Sequence, residues 1–98
     1  LKLWPSYALA YNNLADTYEK QGRFKEAIKN YEIALALAPN VPLYRFGLGD
    51  VYFKLGEFKR AVRYYRDGLK VKPDDELSRR RLGLAQALSR RVFFGFDS

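Results

Sequence analysis

The chain has 98 residues, a formal net charge of +7, and neither cysteine nor histidine. Disulfides, thiolate nucleophiles, the usual Cys/His zinc sites and histidine-based acid–base catalysis are therefore excluded. The length suits one small domain with a modest core. No apolar run approaches the roughly 18 residues that a membrane-spanning helix needs. We expect neither a metal nor another cofactor.

Three prolines, Pro5, Pro39 and Pro73, are spaced 34 residues apart. Residues 8–41 align with residues 42–75 without gaps, and twelve of the 34 positions are identical. Self-similarity at such a period is typical of stacked repeat units. We therefore predict one unit at 8–41 and a second at 42–75. Residues 1–7 resemble the tail of a preceding unit, so we expect at least one more repeat upstream.

Each unit is predicted to consist of two helices joined by a glycine turn. In the first unit, Leu14 and Tyr18 lie four residues apart and mark the buried face of the first helix. Gly22 breaks that helix, because glycine readily adopts the left-handed conformation of a helix end. A second helix is predicted from Phe24 to about Leu37, and Pro39 stops it.

The second unit repeats this pattern. A helix ends at Leu55, Gly56 supplies the turn, and a helix follows over residues 58–71 before Pro73. Small residues are predicted where paired helices approach closely: Ala15, Ala27, Ala34, Gly49, Ala61 and Gly68. Large aromatic residues are predicted to fill the core beside them: Tyr18, Phe24, Tyr31, Tyr52, Phe58 and Tyr65.

A single closing helix is predicted over residues 76–91. Asp74 or Asp75 can cap its first turn. Arg90 stands where the break glycine of a third unit would be, and no second helical pattern follows. A lone helix, apolar toward its neighbour and rich in arginine elsewhere, is typical of the capping element of a repeat array. Residues 92–98 form an aromatic tail.

These positions resemble the tetratricopeptide repeat family over about residues 8–91. The first unit matches through Tyr11, Leu14, Ala15, Tyr18, Ala27, Tyr31, Ala34 and Pro39, and the second through Leu48, Gly49, Tyr52, Ala61, Tyr65, Gly68 and Pro73. The second unit departs at Arg45, where the family has a large aromatic residue, and the closing helix matches only through Leu82 and Gly83. The resemblance implies an all-α fold: a right-handed superhelical stack of antiparallel hairpins (an α-solenoid), with two repeat units and a C-terminal capping helix.

The resemblance also implies a protein-interaction scaffold whose first helices line a concave groove that holds a peptide or helix of a partner. Helical spacing places acidic and amide residues at one end of this groove, aromatic residues in the middle and arginines at the other end. We therefore expect a partner with an acidic segment among the candidates. The predicted groove residues are Leu9, Asn12, Asn13, Asp16, Leu43, Phe46, Asp50, Phe53, Lys54, Arg80, Arg81 and Leu84.

Two known groove chemistries of the family fit poorly. The clamp that holds a C-terminal carboxylate uses lysine, arginine and asparagine, but its positions carry Asn12, Asp16, Gly47, Leu77 and Arg81 here. Of these only Arg81 suits the clamp, and Asp16 would repel a carboxylate. An asparagine ladder that bonds the partner backbone would have a single rung, at Asn13. The groove is therefore predicted to be of mixed chemistry.

Self-association is the alternative function. Three phenylalanines of the tail, Phe93, Phe94 and Phe96, are predicted either to fold back over the closing helix or to insert into another copy, since each would gain roughly 2 kcal/mol from burial. The open face of the first hairpin would add to such an assembly. Catalysis is not expected, because Asp16 and Asp50 are equivalent repeat positions and fit contacts with an adjacent helix or with a ligand amide better than chemistry.

A basic stripe is predicted on the outer helix of the second unit. Lys59, Arg63, Arg66 and Lys70 follow one another at spacings of four, three and four residues. A solvated surface is the simplest interpretation, and phosphate binding is the alternative, since basic stripes neutralise phosphates. No nucleic-acid motif accompanies the stripe, so a nucleic-acid partner is not expected.

Overall fold

The computed structural model describes the backbone of residues 4–95 and the side chains of residues 7–91. Over that range the chain is all-α. Its helices are α1 (Trp4–Lys20), α2 (Phe24–Leu37), α3 (Pro42–Lys54), α4 (Phe58–Val71) and α5 (Glu76–Gly95). None of these described helices is long and apolar enough to cross a membrane.

The two glycine turns are equivalent, as predicted. Gly22 and Gly56 have φ angles of +78° and +80°, which favour glycine because a Cβ atom would be strained there. After each glycine the chain closes the helix end with a bond back across the last turn. Arg23 N–H donates to the Tyr18 carbonyl at 2.9 Å, and the equivalent Glu57 N–H donates to Tyr52 at 2.9 Å.

The helices pack as successive antiparallel hairpins. α1 lies against α2 and α3 against α4, while α2–α3 and α4–α5 contacts join the hairpins into one stack. Aromatic rings fill the space left by glycines between helices. A Cβ atom on Gly49 would lie 2.7 Å from the Tyr65 ring, and one on Gly68 would lie 2.5 Å from the Phe46 ring. The predicted close approach of helices at Gly49 and Gly68 is therefore confirmed.

Two predicted helix boundaries need correction. α1 begins at Trp4, so residues 4–7 form the first turn of α1 rather than the tail of a preceding unit. Pro5 fits there, because a first helical turn does not need its N–H group. α5 continues to Gly95 instead of ending at about Arg91, since Arg90 cannot replace the break glycine. As predicted, Asp75 caps α5, accepting a 3.1 Å bond from Ser78 N–H.

The predicted core is confirmed in part. Tyr31, Tyr52 and Tyr65 are buried. Leu14, predicted to be buried, is 42% exposed, whereas the equivalent Leu48 is completely buried. The difference arises because Leu48 packs within the stack while no described helix covers that side of α1. The other three predicted core aromatics, Tyr18, Phe24 and Phe58, are only partly buried. Phe58 contacts a ring on α3 edge to face.

Candidate functional site

Two adjoining pockets form one concave surface on the first helices of the hairpins. The first has a volume of about 320 Å³ and lies between α1 and α3. The second has a volume of about 330 Å³ and lies between α3 and α5. Glu19 and Asp50 line both pockets, so the two adjoin. We call the surface that they form the groove.

The two pockets differ in their lining. The first contains amides, carboxylates and apolar side chains: Asn12, Asn13, Asp16, Glu19, Tyr31, Leu43, Phe46, Gly47 and Asp50. The second contains the two cations of the groove: Glu19, Asp50, Phe53, Lys54, Tyr65, Arg81 and Leu84.

Glu19 forms a buried polar cluster that joins three helices. Its side chain is only 8% exposed. Tyr31 of α2 donates its hydroxyl to Glu19 Oε1 at 2.9 Å, and Lys54 of α3 lies 2.8 Å from Oε2. Both carboxylate oxygens therefore have a donor, as a buried carboxylate requires.

Asp50 forms the corresponding cluster one hairpin later. Tyr65 of α4 donates its hydroxyl to Asp50 Oδ1 at 2.6 Å. Arg81 of α5 donates to Oδ2 at 2.7 Å. Asp50 thus contacts the adjacent helices, as predicted for the repeated aspartates. Asp16 forms no such bond to another helix among the described residues and pairs instead with Lys20 of its own helix at 3.0 Å.

Both tyrosines in these clusters remain neutral donors. Burial raises the pKa of Tyr31 far above its ordinary value, and the negative charge of Glu19 raises it further. Burial likewise raises the pKa of Tyr65, and its hydrogen bond to Asp50 adds to the shift. These hydroxyl groups therefore hold their carboxylates in place and are poorly suited to giving up a proton.

Ten of the twelve residues predicted to lie in the groove line its pockets. The other two lie outside both pockets. Leu9 is 48% exposed near the start of α1. Arg80 is 76% exposed and lies 3.5 Å from Glu76 on its own helix. Phe46 contributes only an edge, because its side chain is 8% exposed and packs over Gly68.

From the sequence, Tyr31 and Tyr65 were predicted as core residues only. Their place in the lining of the groove was not predicted. A signal existed, because a buried tyrosine usually finds a partner for its hydroxyl. Acidic residues were available on the facing helices. The tail phenylalanines Phe93, Phe94 and Phe96 lie outside the residues whose side chains the structure describes.

Comparison with known proteins agrees with this arrangement. The family model described as "Tetratricopeptide repeat" matches residues 6–74, which is well over half of the chain. The match covers both hairpins and the glycine turns within them. No curated protein matches the chain significantly. With its 34-residue period, its stacked hairpins and this match, the chain belongs to the tetratricopeptide repeat family.

Proposed function

We propose that the chain is a scaffold that binds a peptide or helix of a partner protein in the groove. Tetratricopeptide repeats generally mediate protein–protein interactions. The observation that carries the proposal is the pair of adjoining pockets that follow one another across α1, α3 and α5. A row of pockets along the concave side of a repeat stack suits an extended or helical segment.

The chemistry of the groove favours a partner of mixed character. Lys54 and Arg81 already pair with Glu19 and Asp50, so little positive charge is left for an acidic partner. The acidic partner expected from sequence therefore has less support than a neutral one. Asn12 and Asn13 can bond a partner backbone, since each amide can both donate and accept.

Apolar anchoring would come from one exposed leucine in each pocket of the groove. Leu43 is 49% exposed in the first pocket, and Leu84 is 52% exposed in the second. Covering one such side chain contributes about 1 kcal/mol, since roughly half of a full burial of 1.5–3 kcal/mol remains. Apolar contacts at these two leucines, together with hydrogen bonds to the partner backbone, would give specificity for a partner segment that carries no net charge.

A displayed library of random peptides tests this proposal. Peptides enriched on the wild-type chain should lose binding to a Leu43→Gln/Leu84→Gln variant. They should retain binding to the control Leu37→Gln/Leu77→Gln, whose leucines are exposed outside both pockets. Enriched peptides that bind all three proteins equally would place the binding surface elsewhere.

Self-association is a second candidate, favoured by the exposure of Leu14. The equivalent Leu48 is covered by a neighbouring hairpin, so the exposed face of α1 has the shape of a repeat contact. Light scattering should show a mass that rises with concentration and falls in Leu14→Gln. The matched control is Leu55→Gln, because Leu55 is 43% exposed. A constant monomer mass in the wild type would reject this candidate.

A further inference from the structure

A polar cleft between α4 and α5 lies outside the groove. Its volume is about 320 Å³. The cleft is lined by three cations, two neutral polar residues and one valine: Lys59, Arg66, Arg90, Gln86, Ser89 and Val62. No carboxylate of the described residues lines it.

This cleft opens on the far side of α5 from the groove. Arg81 lines the groove, and Arg90 lines the cleft nine residues later. At about 100° per residue, nine residues place the two side chains on opposite sides of the helix. The cleft is therefore independent of the proposed function, and a ligand there could bind while the groove is occupied.

The cations of the cleft have no acidic partner within the part of the chain that the structure describes. Lys59, Arg66 and Arg90 form no ion pair there. Lys70, on the same helix, does pair with Asp67 at 3.5 Å. Cations that border one cleft repel one another, and no carboxylate among the described side chains of residues 7–91 neutralises them. An anion from outside would relieve that repulsion.

The donors of the cleft match a phosphate group better than a carboxylate. A phosphorylated side chain carries a charge of about −1.5 to −2 and three acceptor oxygens. Arg66 and Arg90 can each present a fork of N–H donors to such oxygens. The Ser89 hydroxyl and the Gln86 amide add neutral donors. A single carboxylate would leave most of these donors unused.

The same lining argues against a single-stranded nucleic acid. Proteins that bind such strands stack the bases on aromatic side chains, and the described lining of this cleft contains none. Val62 is the one apolar residue of the described lining, and it can contact the aliphatic part of a single side chain. We propose that this cleft binds the phosphate group of a phosphorylated serine or threonine in a partner polypeptide.

An NMR titration of the 98-residue chain tests the proposal. The probe is a ten-residue peptide with one central phosphoserine and acidic flanks, at about 0.15 M salt so that exposed charges are screened. Amide signals of residues 59–66 and 86–90 should shift, with those around Arg81 unchanged. Replacing the phosphoserine by glutamate should weaken binding at least tenfold. Shifts confined to the groove, or equal affinity for the glutamate peptide, would overturn the proposal.

A matched pair of variants separates a defined site from diffuse charge. Lys59→Gln/Arg66→Gln/Arg90→Gln should weaken phosphopeptide binding at least tenfold. Lys25→Gln/Lys29→Gln/Arg79→Gln removes the same charge from exposed positions outside the cleft and should weaken it less than twofold. Circular dichroism checks that both variants fold. Equal losses would overturn the proposal, as would a single-stranded oligonucleotide of equal length that binds as tightly as the phosphopeptide.

Discussion

Tyr65 donates a 2.6 Å hydrogen bond to Asp50, and Asp50 in turn accepts from Arg81 at 2.7 Å. One carboxylate thereby connects α4, α3 and α5. The earlier hairpin achieves a similar connection with Tyr31, but its acceptor is Glu19. Both carboxylates lie where the two pockets of the groove meet, so the groove wall is set by the packing of the core tyrosines behind it.

The first prediction concerns the Tyr65 hydroxyl. Tyr65→Phe keeps the ring on Gly49 but removes a donor from a charged acceptor, so it should lower the free energy of unfolding by about 1–2 kcal/mol. In a domain of this size that corresponds to a fall of roughly 5–10 °C in melting temperature. Tyr7→Phe is the control, because Tyr7 is 51% exposed. Equal melting temperatures in both variants would contradict a stabilising role for the hydrogen bond.

The second prediction compares two equivalent lysines. Lys54 pairs with a carboxylate that is 8% exposed, whereas Lys20 pairs with one that is 50% exposed. Lys54→Met leaves the Glu19 charge short of a partner and should lower the free energy of unfolding by about 1–2 kcal/mol, allowing for the half-exposed ammonium. Lys20→Met should change it by less than about 0.5 kcal/mol. Urea denaturation measures both, and equal effects would mean that the burial of Glu19 is unimportant.

The fold was predictable because its signals are local backbone requirements that repeat. Gly22 and Gly56 satisfy a positive φ, and Pro39 and Pro73 follow helix ends that they help to define. Such requirements depend little on what lies across the stack. Pro5 shows the limit, since the same residue fits the first turn of a helix as well as its end.

The polar clusters were harder to predict because equivalent positions do not have equivalent partners. Asp16 and Asp50 are 34 residues apart, yet only Asp50 accepts from a tyrosine. In the first hairpin the longer Glu19 reaches the tyrosine instead, while the second hairpin has Phe53 at that position. Which acid a buried hydroxyl meets depends on side-chain length and on the facing helix. Aligning the two repeats gives no information on how far a side chain reaches or on which helix faces it.

The exposure of Leu14 could not be derived from its own unit either. Leu14 occupies the same position in its repeat as Leu48, which is completely buried. Burial depends on whether a neighbouring hairpin covers that face, which is a property of the stack rather than of the repeat. Helical spacing alone likewise places Leu9 and Arg80 in the groove, whereas neither residue lines the two pockets described above.

The third prediction uses two helical glycines in opposite surroundings. A Cβ atom on Gly68 would lie 2.5 Å from the buried Phe46 ring, whereas one on Gly83 would have nothing within 4 Å. Gly68→Ala should lower the free energy of unfolding by about 1 kcal/mol, since overpacking of about 1–3 kcal/mol outweighs the gain in helix propensity. Gly83→Ala should raise it by about 0.5–1 kcal/mol. Chemical denaturation of both variants measures these changes in the free energy of unfolding. A Gly68→Ala variant more stable than wild type would show that the Phe46 ring moves aside freely.

The fourth prediction is a pH dependence at the start of α5. Ser78 donates hydrogen bonds to the Asp75 carboxylate and holds its pKa below the ordinary value. Because the folded-state pKa is lowered, this stabilisation is complete above the unfolded pKa of about 3.9 and is lost as the pH falls through the folded value. Asp75→Asn keeps a capping side chain but removes the charge, which is worth about 0.5–1 kcal/mol at a helix N-terminus.

Urea denaturation at several pH values should therefore show a gap between wild type and Asp75→Asn at pH 6 that narrows below pH 4. The neighbouring Asp74 is the control, because it is exposed and forms no side-chain hydrogen bond among the described residues. Asp74→Asn should leave a smaller gap that changes little with pH. A gap for Asp75→Asn that stays constant from pH 6 to pH 2.5 would mean that the cap acts through its shape alone, since charge-dependent capping must disappear once the carboxylate is protonated.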